Sequence, residues 1–158
     1  MREINGNLIT LAQEGHFDVI THGCNCFCTM GAGIAPQMAE AFGADKFKME
    51  AEEYRGLISK LGTIDSEWRY VKDGHVLTVV NSYTQYRYGR NHADGDKMPV
   101  DYEAISLCMR KINHLFRGKT IGLPLIGCGL AGGDWNIVKK IFETELNAMD
   151  VWVVHYKK

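Results

Sequence analysis

The run Thr120-Ile121-Gly122-Leu123-Pro124-Leu125-Ile126 leads into Gly127-Cys128-Gly129-Leu130-Ala131-Gly132-Gly133-Asp134, then a stretch from Trp135 to Met149, then Val151-Trp152-Val153-Val154-His155-Tyr156. The first and last segments are short and rich in apolar and β-branched residues, the signature of buried strands. The stretch between them is long enough for a helix, and the glycines before it mark a loop. Strand, loop, helix, strand is the repeating unit of an α/β domain with a largely parallel sheet.

Working outward, Tyr102 through Phe116 carries Ile105, Cys108, Met109, Ile112 and Leu115 at helical spacing, which predicts a helix before the strand at 120. His75 through Tyr83 contains Val76-Leu77-Thr78-Val79-Val80 and reads as a central strand. Phe17-Asp18-Val19-Ile20-Thr21-His22 reads as another strand, running into a glycine-containing loop. Ala32 through Phe42, closed by Gly43, predicts a helix, and Glu50 through Lys60, stopped near Gly62, a second. No internal repeat or linker divides the chain, so residues 1–158 are expected to form one domain.

Ligands of parallel α/β sheets bind at the C-terminal ends of the strands, and two loops fall there. The first is His22-Gly23-Cys24-Asn25-Cys26-Phe27-Cys28-Thr29-Met30-Gly31-Ala32-Gly33-Ile34-Ala35; the second spans Gly127 to Trp135. Each leaves a strand and enters a helix, which presents free backbone amides and the positive end of a helix dipole to an anion. Glycines also serve plain turns, so one such loop says little; two in one small domain suggest a ligand with two phosphates, gripped from both sides. Neither matches the Lys-Ser/Thr phosphate loop or the dinucleotide fingerprint.

The composition fits this reading. With 46% hydrophobic and 23% charged residues, the 158-residue chain resembles an ordinary globular domain with its own core. A net charge of -1 supplies no general attraction to nucleic acid or membranes, so an anionic ligand must be held by backbone geometry. No apolar run approaches the ~20 residues of a membrane span. Five cysteines, an odd number without a regular framework, suit a reducing cytoplasm. Cys24, Cys26 and Cys28 alternate rather than pair as structural zinc ligands do, so loop packing explains them better than metal. No metal or cofactor is expected.

At these residues the sequence resembles the macrodomain family. Gly6-Asn7-Leu8-Ile9 resembles the segment that meets adenine, although Asn7 stands where the family usually has aspartate. His22-Gly23-Cys24-Asn25-Cys26 resembles the segment near the distal ribose, Met30 through Ala35 the first diphosphate loop, and Pro124 through Trp135 the second. The resemblance implies a three-layer α/β/α sandwich with a mixed, largely parallel sheet, and a ligand of the ADP-ribose class, free or attached to a macromolecule. It implies contacts from Asn7, Leu8, Asn25, Gly31, Ala32, Gly33, Ile34, Gly127, Cys128, Gly129, Leu130, Ala131 and Gly132. Tyr156 falls where macrodomains often place an aromatic against adenine.

The His-x-Cys-Asn-Cys and Gly-Cys-Gly-Leu-Ala-Gly-Gly-Asp-Trp segments are similar to the branch that includes ADP-ribose-1''-phosphate phosphatases. Many members of a sister branch, which removes ADP-ribose from carboxylates or DNA, use a lysine and some an acid. Here those places fall near Ser82 and at Ala131. The expected activity is therefore hydrolysis of ADP-ribose 1''-phosphate, with a non-catalytic reader module and a lysine-free deglycosylase as alternatives. In that mechanism Asp134 activates water and His22 protonates the leaving oxygen. Each has a plainer role open to it: Asp134 as the cap of the helix beginning at Trp135, His22 as a hydrogen-bonded strand-end residue, Asn25 as a turn former. The polar, aromatic-containing segment Gln85 through Lys97 is either a charged surface loop, a lid, or a contact for nucleic acid.

Overall fold

A computed structural model describes residues 1–87, 100–129 and 131–157. Its centre is a six-stranded sheet: β1 (Arg2–Gly6), β2 (Val19–Asn25), β3 (Ile64–Tyr70), β4 (Val76–Gln85), β5 (Thr120–Leu123) and β6 (Asp150–Tyr156). The spatial order is β1-β6-β5-β2-β4-β3. Every neighbouring pair is parallel except β3 with β4. This is the mixed, largely parallel sheet expected.

Alternation along the strands divides the core into two. Val19, Val80, Ile121 and Val153 face one side, where α3 (Tyr102–Leu115) and α4 (Trp135–Glu145) cover them through Ile105, Met109, Ile112, Val138 and Phe142. Ile20, Leu77, Val79 and Val154 face the other side, against α1 (Leu8–Gln13) and α2 (Ala35–Phe42), with Met38 and Phe42 fully or almost fully buried. Adjacent residues such as Val19 and Ile20 serve opposite faces because side chains alternate across a strand. The result is a three-layer α/β/α sandwich. No described helix is long and apolar enough to cross a membrane.

Three expectations need correction. Glu50 through Lys60 is not a helix: short 3-10 turns at Lys48–Glu50, Glu52–Tyr54 and Ile58–Lys60 replace it. Gly56 adopts a left-handed backbone (φ 80°), and Leu57 and Ile58 remain exposed, so the segment lacks the apolar stripe that would hold a helix down. The helix predicted from Ala32 begins at Ala35, with proline in its first turn. The strand predicted to end at His22 continues to Asn25.

The last correction matters most for the site. β2 and β5 are neighbours, and the sheet is extended from β2 toward β4 and β3 on one side, and from β5 toward β6 and β1 on the other. The loops after β2 and β5 therefore leave the same end of the sheet where the chain direction of the sheet's growth reverses, which is where a crevice opens.

Candidate functional site

The first loop is organised by one side chain. Asn25 Oδ1 accepts from the amides of Phe27 at 3.0 Å and Thr29 at 3.2 Å, while Nδ2 donates to the Thr29 carbonyl at 2.9 Å. Asn25 thus makes the local turn that asparagine favours. Beyond it, Thr29 through Ile34 lead into α2, whose N-cap residue Ile34 contributes no side-chain hydrogen bond. The helix's first amides are consequently left to water or a ligand.

The second loop is closed by its own backbone. Cys128 N donates to Leu125 O at 3.1 Å, Gly132 N to Gly129 O at 3.0 Å, and Gly133 N to Gly127 O at 2.7 Å. Gly127 and Gly132 have φ of 75° and 74°, a conformation open mainly to glycine. Asp134 then starts α4: its Oδ1 accepts from Asn136 N at 2.8 Å, and its own amide donates to Tyr102 Oη at 2.9 Å.

The two loops flank one cleft of about 570 Å³. Among the predicted residues, Asn25, Gly31, Ala32, Gly33, Ile34, Gly127, Gly129 and Ala131 line it. A second hollow of about 320 Å³ adjoins it through Gly33, Ile34 and Pro124 and is lined by Asn7, Leu8 and Tyr156. Both volumes suit a small-molecule site. The described lining residues of the larger cleft include no Lys, Arg, His, Asp or Glu. An anion there would meet backbone amides and the open start of α2.

Other predicted residues lie elsewhere. His22 is in mid-strand, not at a strand end, and is fully buried. Asn81 donates through Nδ2 to Ala44 O at 2.9 Å, so its Oδ1 accepts from His22 Nε2 at 2.7 Å. Nδ1 meets no partner among the described residues, and burial pushes the His22 pKa down to about 4 despite the Asn81 bond. His22 lines neither cavity. Asp134 is exposed and fills the capping role; neither it, Cys128 nor Gly132 is among the lining residues. Cys128 is half-buried, its thiol pushed up to about 11 chiefly by burial and also by nearby Asp134. Leu130 and the Tyr88–Lys97 part of the polar segment lie outside the described residues.

The sequence reading did not include Gly23, Gln85 or Gln37 among the ligand contacts, although all three line the cavities. Gln85 ends β4 beside Asn25, and only the register of two parallel strands reveals that. Gly23 lies so close to β4 that a Cβ there would stand 2.7 Å from Thr84 Oγ1 and 3.0 Å from Ile126 Cγ2. Its missing side chain is a packing requirement, and no local motif signals it.

No protein-family model matches the chain. Among solved structures, the macrodomain of Thermus aquaticus DarG superposes with a TM-score of 0.69 at 22% identity, covering 99% of this chain and 97% of that one. Thermosipho africanus DarTG, solved in complex with ADP-ribose, gives 0.68 at 19% identity, covering 99% of this chain and 42% of that one. The fold is therefore the macrodomain fold. In sequence, the chain is 33% identical over 165 residues to an uncharacterized 17.5 kDa protein encoded in the tk-vs intergenic region of Enterobacteria phage T4, covering 99% of this chain and 97% of the relative. It belongs to the same family as that phage protein.

Proposed function

We propose that the protein binds ADP-ribose or a derivative of it. The diphosphate sits between the two glycine loops, the adenosine extends toward Asn7, Leu8 and Tyr156, and the distal ribose extends toward Asn25 and Gln85. One observation carries the reading: the two loops flank a single cleft that continues into a second hollow and has no cationic side chain among its described lining residues. Backbone amides and a helix start can hold a diphosphate without such charges. The ADP-ribose complex of the similarly folded Thermosipho protein supports the choice of ligand.

Cys24 is the sole titratable side chain among the described lining residues of the larger cleft, and burial raises its thiol well above the ordinary range. This favours a binding module that recognises free or macromolecule-attached ADP-ribose over a hydrolase. A second reading, hydrolysis of ADP-ribose 1''-phosphate, retains one supporting observation. Asp134 follows Gly133 directly and is exposed beside the second loop. From there a carboxylate could orient water toward a phosphate.

Purified protein offered ADP-ribose, ADP-ribose 1''-phosphate and ADP-ribosylated targets side by side tests both. Calorimetric binding without phosphate or ADP-ribose release supports the module. Release of phosphate would shift the conclusion to the phosphatase, and release of ADP-ribose from targets to a deglycosylase. Absence of heat with any of them would sink the proposal.

A further inference from the structure

Behind the first loop lies a cluster that ligand binding does not use. Lys60 is 1% exposed, yet it sits among charged and nucleophilic groups. Its Nζ donates to Cys28 Sγ at 2.8 Å and to the carbonyl of Met49. It stands 3.9 Å from Glu50 Oε2 and 4.2 Å from the Tyr83 ring centre. Glu50 is equally buried; Tyr83 Oη donates to its Oε2 at 2.5 Å, and its Oε1 has no partner among the described residues. Cys28 is partly exposed and adopts a left-handed backbone (φ 62°), unusual for a residue other than glycine. Cys28 is thus partly exposed as a residue, while the amine beside its sulfur is enclosed.

The geometry points to a covalent modification site: peroxide oxidation of Cys28 followed by condensation with Lys60 into a sulfur–nitrogen crosslink. In the first step the Cys28 thiolate attacks one oxygen of hydrogen peroxide. The O–O bond breaks, hydroxide leaves and takes up a proton as water, and sulfur is oxidised by two electrons to sulfenic acid. In the second step the Lys60 ammonium gives a proton to the Glu50 carboxylate, whose Oε2 lies 3.9 Å from Nζ. The Nζ lone pair then attacks Sγ, the S–N bond forms, and the S–OH bond breaks. The hydroxyl leaves as water with a second proton from nitrogen, and this step involves no net oxidation or reduction.

Burial pushes the Cys28 thiol above its ordinary value, and Lys60 pulls it partly back. The thiolate is a minor form at neutral pH, so the site responds to sustained peroxide rather than to a brief pulse. Thr29 and Met30 follow Cys28 directly and line the ligand cleft. The crosslink would therefore tether a cleft wall to the 3-10 turn at Ile58–Lys60.

A disulfide and this crosslink both remove two hydrogens, so intact mass alone does not separate them. The test is peptide mapping of the wild-type protein after hydrogen peroxide, alkylation of free thiols and digestion at residues other than lysine. A linked peptide pair joining Cys28 to Lys60, released by dithiothreitol and absent from Cys28→Ser, is expected. Recovery of Cys28 as a disulfide, as sulfinic acid with Lys60 free, or unmodified would overturn it. Lys60→Arg, which keeps a buried cation, serves as a second variant and is expected to yield no linked pair.

Discussion

Gly133 and Gly127 close the second loop on each other: the amide of one donates to the carbonyl of the other at 2.7 Å. A Cβ added at Gly133 would stand 2.5 Å from that same carbonyl oxygen and 3.2 Å from Val100 Cγ1. The obstacle is backbone, which cannot rotate away. Gly133→Ala is expected to destabilise the protein by about 1–3 kcal/mol, the usual cost of overpacking, and to weaken ADP-ribose binding as the loop opens. Gly129→Ala is the matched control, because its Cβ would meet nothing within 4 Å. Thermal melting of the pair and calorimetry of Gly133→Ala decide the matter; equal melting of the two variants would mean the loop does not need its closing bond.

His22 supplies a pH signature of stability. Its pKa falls from 6.5 to about 4 on folding, so between those values the unfolded chain holds the extra proton. Stability from neutral His22 is fully present above pH 6.5 and is lost as pH falls toward 4. The span corresponds to roughly 3 kcal/mol at most. Denaturant titrations from pH 8 to 4 should show this slope in the wild type and a shallower one in His22→Gln. A wild-type curve as flat as that of the variant would contradict the buried, neutral imidazole.

The parallel core was legible because its strands are continuous apolar runs and its helices α3 and α4 keep a regular stripe. The edges were not. β1 (Arg2–Gly6) and β3 (Ile64–Tyr70) are partly exposed throughout, so Trp68 and Tyr70 point to solvent and no clean alternation marks a strand. The end of β2 was misread for a different reason: Gly23, Cys24 and Asn25 read as the start of a glycine loop, yet they pair with Ser82, Tyr83 and Gln85 of β4. Within the strand, Thr21 and His22 are polar but buried, because Thr21 Oγ1 donates to Val80 O at 2.9 Å and His22 Nε2 donates to Asn81 Oδ1. A sequence shows polarity but not the partner that makes burial affordable. Lys60 and Glu50 mislead in the same way: charged residues at the ends of a predicted helix, they are in fact buried. The two site loops were legible because glycine spacing records backbone geometry directly, whereas Gln85 enters through strand register.

Asp134 separates capping from chemistry. Its Oδ1 accepts the Asn136 amide, a bond that asparagine reproduces and alanine does not. Asp134→Ala is expected to cost about 1 kcal/mol, and Asp134→Asn only a few tenths, with ADP-ribose affinity unchanged in both. Melting and calorimetry check this. Phosphate release from ADP-ribose 1''-phosphate by the wild type that fell by about 10²-fold or more in Asp134→Asn would instead assign the carboxylate a catalytic role.

Tyr156 tests where the adenine lies. It ends β6, is 58% exposed, and lines the smaller hollow together with Asn7 and Leu8. An exposed side chain contributes little to stability, so Tyr156→Ala should melt within about 0.5 kcal/mol of wild type. Stacking of a base on an aromatic ring is worth about 1–3 kcal/mol, so the dissociation constant for ADP-ribose should rise about 5- to 150-fold. Asn7→Ala is a poorer probe, because Asn7 Oδ1 also accepts Thr10 N at 3.1 Å to cap α1, and its loss would mix helix fraying with lost contact. Ribose 5-phosphate, which has no base, should bind Tyr156→Ala and wild type equally. An unchanged ADP-ribose affinity in Tyr156→Ala would move the adenine out of the hollow between Asn7 and Tyr156.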